Sequence, residues 1–368
     1  MECLHLPELT YSEFGQRLRT KIAGRRWPIF GSVELTFRCN LRCVHCYVAD
    51  AAPRRPPQAE LSVSEFERIF GEVAGAGCLW MLLTGGEPLV RRDWQAIYLA
   101  AKRQGLLITL FTNGTLLTPR QADFLAEWRP LLVEITLYGR TQATYERITG
   151  IPGSHARCLR GIELLLERGI PLKLKTMVMT LNRHELGEMK SYAESLGVDF
   201  RFDAMLNAAI GGDHTPLGYR IPPEEVVQLD LAEDRRVQEW RALYTRSHQV
   251  SSASPYLYNC GAAVNSFHID PYGQLYACML ARRRGYNLRE GTFAAGWSDF
   301  LLGERSLPAS KDTPCRHCEL LSLCGQCPAW ADLEHGDPQE PVPYLCQTAH
   351  RRAKAFGLPE APSAERCL

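Results

Sequence analysis

Residues 38–47 read Arg38-Cys39-Asn40-Leu41-Arg42-Cys43-Val44-His45-Cys46-Tyr47 and follow directly on the apolar run Val33–Phe37. Three thiols in a C-x3-C-x2-C spacing, in a loop leaving a short apolar run, are a metal-binding pattern before they are anything else. A structural zinc site needs four ligands in a closed tetrahedron. This loop offers three thiolates. His45 is a poor fourth, because it adjoins Cys46 and neighbouring side chains seldom converge on one ion. It reads instead as a ring packed against whatever the thiols hold. A [4Fe–4S] cube also has four corners, and three cysteines leave one iron open.

Outward from this loop, short apolar runs alternate with helical patterns over residues 33–206. The expected strands are Val33–Phe37, Leu79–Leu83, Leu107–Phe111, Leu132–Leu137, Lys173–Met179 and Asp199–Met205. Between them Val63, Phe66, Ile69, Phe70 and Val73 recur at helical spacing. Ser62 with Glu65 predicts a capping box before them. Asn182 with Glu185 predicts the same device before Leu186, Met189, Ala193 and Leu196. Gly169 and Gly197 read as helix stops. Six strands alternating with helices imply an α/β fold with a parallel sheet, open or closed into a partial barrel. In either form function belongs at the carboxyl ends of the strands. The cysteine loop, Thr84-Gly85-Gly86-Glu87-Pro88, Thr112-Asn113-Gly114 and Thr136-Leu137-Tyr138-Gly139 each follow or close one of the first four strands. All four motifs are therefore expected on one rim.

The chain has 368 residues and 14 cysteines. A chain this long builds a core without disulfide staples, so metal or redox chemistry is the favoured account of its thiols. Cys78 and Cys158 read as small buried hydrophobes, and Cys3 and Cys367 as incidental residues near the ends. Seven others form a second group: Cys260, Cys278, Cys315, Cys318, Cys324, Cys327 and Cys346. Asp270-Pro271-Tyr272-Gly273 is turn chemistry inside Phe267–Ala277, so a β-hairpin brings Cys260 and Cys278 together. By themselves these seven suit structural zinc and iron–sulfur equally. Lys+Arg total 42 against Asp+Glu 41, which gives no basic excess for nucleic acid. No apolar run approaches the roughly 20 residues that span a bilayer. Met1–Phe30 lacks an apolar signal core, so a cytoplasmic location with no membrane partner is expected.

Cys39-x3-Cys43-x2-Cys46 with an aromatic residue before its last cysteine, the six βα units and Gly85-Gly86-Glu87-Pro88 together resemble the radical S-adenosylmethionine (SAM) enzymes. The resemblance implies a partial (β/α)6 barrel over 33–206. It implies a [4Fe–4S] cluster on Cys39, Cys43 and Cys46 whose open iron binds SAM. One electron then cleaves SAM to methionine and a 5′-deoxyadenosyl radical, which takes a hydrogen atom from substrate. Gly85, Gly86 and Glu87 would receive the SAM ammonium, Thr136 would contact SAM, Asn113 would approach its ribose or carboxylate, and Arg157 its carboxylate. No general acid or base is named.

The spacing Cys260-x12-Gly273-x4-Cys278 and the close set after it resemble the SPASM extension, a cysteine-rich C-terminal Fe–S domain. That implies one auxiliary cluster on Cys260, Cys278 and Cys327 and an outer one on Cys315, Cys318, Cys324 and Cys346. Cys324-x2-Cys327 is one residue shorter than in some members. No cysteine closely follows Cys260 and Met279 follows Cys278, which disfavours a sulfatase-maturing enzyme. It also leaves the nearer cluster's fourth position to substrate or to a non-cysteine side chain.

The expected organisation is an extension over 1–32, the barrel over 33–206, bridging helices over 207–258, the cluster domain over 259–350 and a tail over 351–368. The charged stretch Glu224–Arg246 reads as a solvated linker helix. The expected activity is post-translational modification of a ribosomally made peptide. The alternatives are tetrapyrrole or other cofactor biosynthesis, and a non-catalytic metal-binding or electron-transfer protein. Partners implied are a peptide or small-molecule substrate and an electron donor such as flavodoxin or ferredoxin. Residues 1–32 are too short for a leader-gripping domain, so either a separate peptide-recognition protein or a substrate that is not a leader peptide is expected.

Overall fold

The computed structural model describes residues 10–48, 59–248 and 254–359; Cys3 and Cys367 lie outside them. Six strands pair in parallel in chain order: β1 Phe30–Glu34, β2 Trp80–Thr84, β3 Leu107–Thr112, β4 Leu132–Thr136, β5 Leu172–Met177 and β6 Asp199–Asp203. Helices α2 Val63–Gly75, α3 Trp94–Arg103, α4 Pro119–Glu127, α5 Gln142–Thr149, α6 Ser154–Leu166 and α7 Leu186–Ser195 fill the crossovers, and α1 Tyr11–Ile22 precedes β1. This is the expected α/β partial barrel.

Each strand has one apolar and one polar face. Val33, Leu83, Leu110, Val133 and Leu174 are buried and belong to the core shared with the helices. Phe66, Ile69, Phe70 and Val73 of α2 are fully covered, each contributing on the order of 1.5–3 kcal/mol. The Ser62–Glu65 capping box forms as expected. Gly169 and Gly197 adopt positive φ of 59° and 69°, the left-handed stop a side chain resists. Cys78 and Cys158 are buried, as read.

Three sequence expectations are corrected. The first strand ends at Glu34 rather than Phe37. Beyond Glu34 the chain bonds to β2's exit: Leu35 N–H donates to Thr84 and Gly86 N–H to the Thr36 carbonyl. Asn182 and Glu185 do not cap α7 through their side chains. Asn182 instead donates to the Tyr138 and Met177 carbonyls. Glu185 accepts from the Arg140 and Thr141 amides, so both residues staple neighbouring loops. Glu224–Arg246 is not one solvated linker helix, although its second half is largely exposed. It is broken into α8 Pro223–Leu231 and α9 Asp234–His248, with Val226, Val227 and Asp230 buried.

The expected hairpin forms as β7 Ser266–Ile269 and β8 Gln274–Tyr276, with β9 Tyr286–Asn287 beyond it. It does not stand alone. β7 pairs in parallel with β1, so hairpin and barrel share one nine-stranded sheet ordered β6-β5-β4-β3-β2-β1-β7-β8-β9. At that seam Glu34 is fully buried with His268 and Arg282, at 3.1 and 2.9 Å. Burial alone would raise the Glu34 pKa, but His268 and Arg282 outweigh it and the carboxyl ends below its ordinary range. Its stabilisation is in place above the unfolded carboxyl pKa and is lost as pH falls through the lower folded value. The stability gap between wild type and Glu34→Gln, read by urea titration, is therefore expected to narrow on acidification through the carboxylate range. A gap independent of pH would count against this pairing.

Candidate active site

The four rim motifs meet as expected, and hydrogen bonds lock the first three together. Glu87 N–H donates to the Arg38 carbonyl. The Glu87 carboxyl accepts from Thr112 Oγ1 at 2.7 Å, from the Asn113 amide at 2.7 Å and from the Leu89 amide at 3.1 Å. Asn113 Nδ2 donates to Asn40 Oδ1, and Asn40 Nδ2 to Thr115 Oγ1. The fourth motif joins through rings: Tyr138 meets His45 edge-on with centroids 5.0 Å apart.

The cysteine loop is held from two sides. Arg42 and Val44 amides donate to the carbonyls of Thr149 and Ile148 at the end of α5. Tyr47 donates its hydroxyl to the sulfur of Met279 at 3.1 Å, which links this loop to the residue after Cys278. Burial, then the neighbouring Cys46 and Cys39 thiols, pushes the Cys43 pKa far above its ordinary value. Loading iron here therefore releases protons. Among the described residues no three His, Cys, Asp or Glu side chains converge on one ion. A cube does not ask for that, since each thiolate binds its own iron.

The glycines act by close approach. A Cβ on Gly86 would stand 2.5 Å from the Arg38 carbonyl oxygen and 2.6 Å from that of Phe37. Gly86→Ala is expected to cost about 1–3 kcal/mol, measured by denaturant unfolding, and to open the contact between the two loops.

The other predicted contacts divide. Thr136 is half-buried at the end of β4, in register with Lys175. Glu87 is fully buried and committed to the chain's own donors; burial raises its pKa to about 7. Arg157 stands exposed on the first turn of α6, its guanidinium turned to the Pro152 carbonyl. It is outside the hydrogen-bonded set.

The second cysteine group separates into two places. Burial, then Cys260, pushes Cys278 up; burial, then Cys278 and Cys260, does the same for Cys327. These three thiols thus act on one another electrostatically. Cys315, Cys318, Cys324 and Cys346 line one small cavity. His350 lines it too, and its Nε2 is buried with no hydrogen-bond partner among the described residues. The sequence reading missed His350. The signal was its spacing: it lies four residues after Cys346, on the same face of the helix Pro343–Ala355. A four-thiol cavity with an orphaned imidazole nitrogen, and a thiol trio beside a buried His45 whose Nδ1 is likewise unpartnered among the described residues, fit iron–sulfur groups chemically.

Residues 33–193 match the family model of the radical SAM superfamily. That part of the chain is similar to a radical SAM domain. The AdoMet-dependent heme synthase of Methanosarcina barkeri is 26% identical, over 84% of this chain and 94% of that protein. The mycofactocin maturase MftC of Mycobacterium ulcerans is 29% identical, over 82% of this chain and 83% of that protein. Streptococcus suis SuiB bound to its precursor peptide SuiA superposes with a TM-score of 0.67 at 17% identity, covering 92% of this chain and 82% of that one. The fold is thus shared across the barrel and the cysteine-rich region, and the chain is a SAM-dependent iron–sulfur enzyme. No helix among the described residues is long and apolar enough to cross a membrane.

Proposed function

We propose that this radical SAM enzyme modifies a ribosomally made peptide. The observation that carries this reading is the pair of rim and hairpin loops joined at Tyr47 and Met279, which links the three-thiol loop to the residue after Cys278. The relation to a mycofactocin maturase and the fold shared with SuiB, a protein crystallised on its precursor peptide, support it. Cys39, Cys43 and Cys46 would hold a [4Fe–4S] cluster; Cys260, Cys278 and Cys327 a nearer auxiliary cluster; Cys315, Cys318, Cys324 and Cys346 an outer one. When bound, the first cluster and SAM supply a 5′-deoxyadenosyl radical that takes a hydrogen atom from substrate. The chain's part is placement. Gly85 and Gly86 let the backbone approach closely, Thr136 faces the lumen, and the buried Glu87 fixes the Asn113 loop. A flavodoxin or ferredoxin would supply electrons, and the work would be done in the cytoplasm.

The relation to an AdoMet-dependent heme synthase supports a second reading, action on a tetrapyrrole. Anaerobic incubation with SAM, a reductant and either the peptides encoded beside the gene or a panel of tetrapyrroles, followed by mass spectrometry, decides between them. A mass change confined to a peptide supports the first reading, and one confined to a tetrapyrrole overturns it.

A further inference from the structure

The inner face of the sheet is polar where a packed barrel would be apolar. Strand register puts Glu34, Thr84, Phe111 and Glu134 on that face, with Lys173, Lys175, Arg201 and Asp203 continuing it across β5 and β6. Contacts confirm that four of these residues meet. Lys175 Nζ lies 3.3 Å from Glu134 Oε2, and Arg201 Nη2 lies 2.6 Å from the same oxygen. The Lys175 ammonium also sits over the Phe111 ring, 2.7 Å from its centroid.

Two cations share one carboxylate oxygen. The nearby groups are occupied: Lys173 pairs with Asp199 at 3.2 Å, and Asp203 accepts from the Met205 amide. On the β1 side Glu34, His268 and Arg282 satisfy one another. Lys175 is largely covered, its side chain 15% exposed, whereas Arg201 is 50% exposed. The cationic pair is therefore reachable from the lumen. An ammonium with three donors, one ion-pair partner and a ring face has capacity left for an anion. Arg201 offers a planar fork that suits a carboxylate.

We propose that Lys175 and Arg201 form a carboxylate-binding site for the substrate, with Glu134 as the counter-charge that holds the pair in place while the site is empty. The proposal rests on the reading of the lumen as the substrate chamber of a peptide-modifying radical SAM enzyme. It names the substrate's chemistry: the residue delivered to the radical carries, or adjoins, a carboxylate. Thr136 is in register with Lys175, so the bound group lies one strand from a rim motif. Burial, offset in part by Glu134, pulls the Lys175 pKa down to about 7, and an arriving anion would restore its charge.

Lys175 is its own probe. The reconstituted, SAM-loaded enzyme is treated with the N-hydroxysuccinimide ester of acetic acid, and acetylation of Lys175 is read by mass spectrometry. Protection is titrated with N-acetylglycine, with N-acetylglutamate α-amide and with N-acetylglycinamide as the uncharged control. The two acids separate a chain terminus from an acidic side chain as the source. Saturable protection by at least one acid and none by the amide is expected. Arg201→Gln should raise the half-protecting concentration about tenfold, the worth of one charge-assisted hydrogen bond. Glu134→Gln should lower it several-fold, which a purely structural ion pair would not do. Equal protection by acid and amide overturns the proposal. So does complete protection by SAM alone, which would assign the cations to SAM. Release of 5′-deoxyadenosine on reduction of the same wild-type samples tests the radical SAM reading separately, so failure of one is told from failure of the other.

Discussion

Cys43→Ala is expected to abolish reductive cleavage of SAM. Cys43 is the middle thiol of the loop, and the amides on either side of it are tied to α5: Arg42 to Thr149 and Val44 to Ile148. Alanine therefore leaves the loop path intact and removes only the iron ligand. Residues that merely support a metal ligand are worth 10–100-fold, so loss of the ligand itself should exceed about a hundredfold in 5′-deoxyadenosine formed per protein. The measurement is chromatographic quantitation after dithionite reduction under anaerobic conditions. Iron content should fall by the share of one cluster, with the iron of the other cysteine groups retained. Undiminished SAM cleavage would refute the assignment of this loop.

The second large effect is on stability. Asp230 of α8 is fully buried. It accepts from Arg352 Nε at 2.9 Å and from Arg236 Nη2 at 2.8 Å. Arg352 lies on the last described helix and also donates to the Leu323 carbonyl, beside Cys324. One carboxylate thus joins the bridging helices, the C-terminal helix and the four-thiol cavity. Asp230→Ala leaves the Arg352 guanidinium buried beside no carboxylate. Breaking a buried pair in this way costs about 3–5 kcal/mol, a large fraction of a domain's stability. Urea unfolding of wild type, Asp230→Ala and Asp230→Asn measures it. The alanine variant should lose the most, and the iron of the C-terminal region should become easier to chelate. A change within about 0.5 kcal/mol, the range of an ordinary surface substitution, would show that the pair does not hold this seam.

Much of the site was legible from residue order. A βα repeat sends each strand's exit to the same rim, so the cysteine loop, Gly85–Glu87, Asn113 and Thr136 had to be neighbours once the strands were recognised. Glu134 is the one charge in β4 and Lys175 alternates with Lys173 in β5, but alternation alone does not say which face is a lumen. His350 was missed because the Cys346 helix had not been assigned. Glu87 was read as open to a ligand. Its burial follows from Thr112, Asn113 and Leu89 amide and hydroxyl donors closing on it, and those partners come from two different loops.

Local pattern by itself determined the α/β repeat, the metal-binding character of the thiols and the rim on which function lies, because strand period, cap residues and ligand spacing are short-range properties of the chain. Only the tertiary structure decided that the hairpin joins the barrel's own sheet at β1, that Asp230 reaches Arg352 and that His350 joins the four-cysteine cavity. Those contacts span 122 residues in the case of Asp230 and Arg352. They are chosen by which buried charge can find a partner and which sheet edge remains unpaired, and neither is settled until the whole chain has folded.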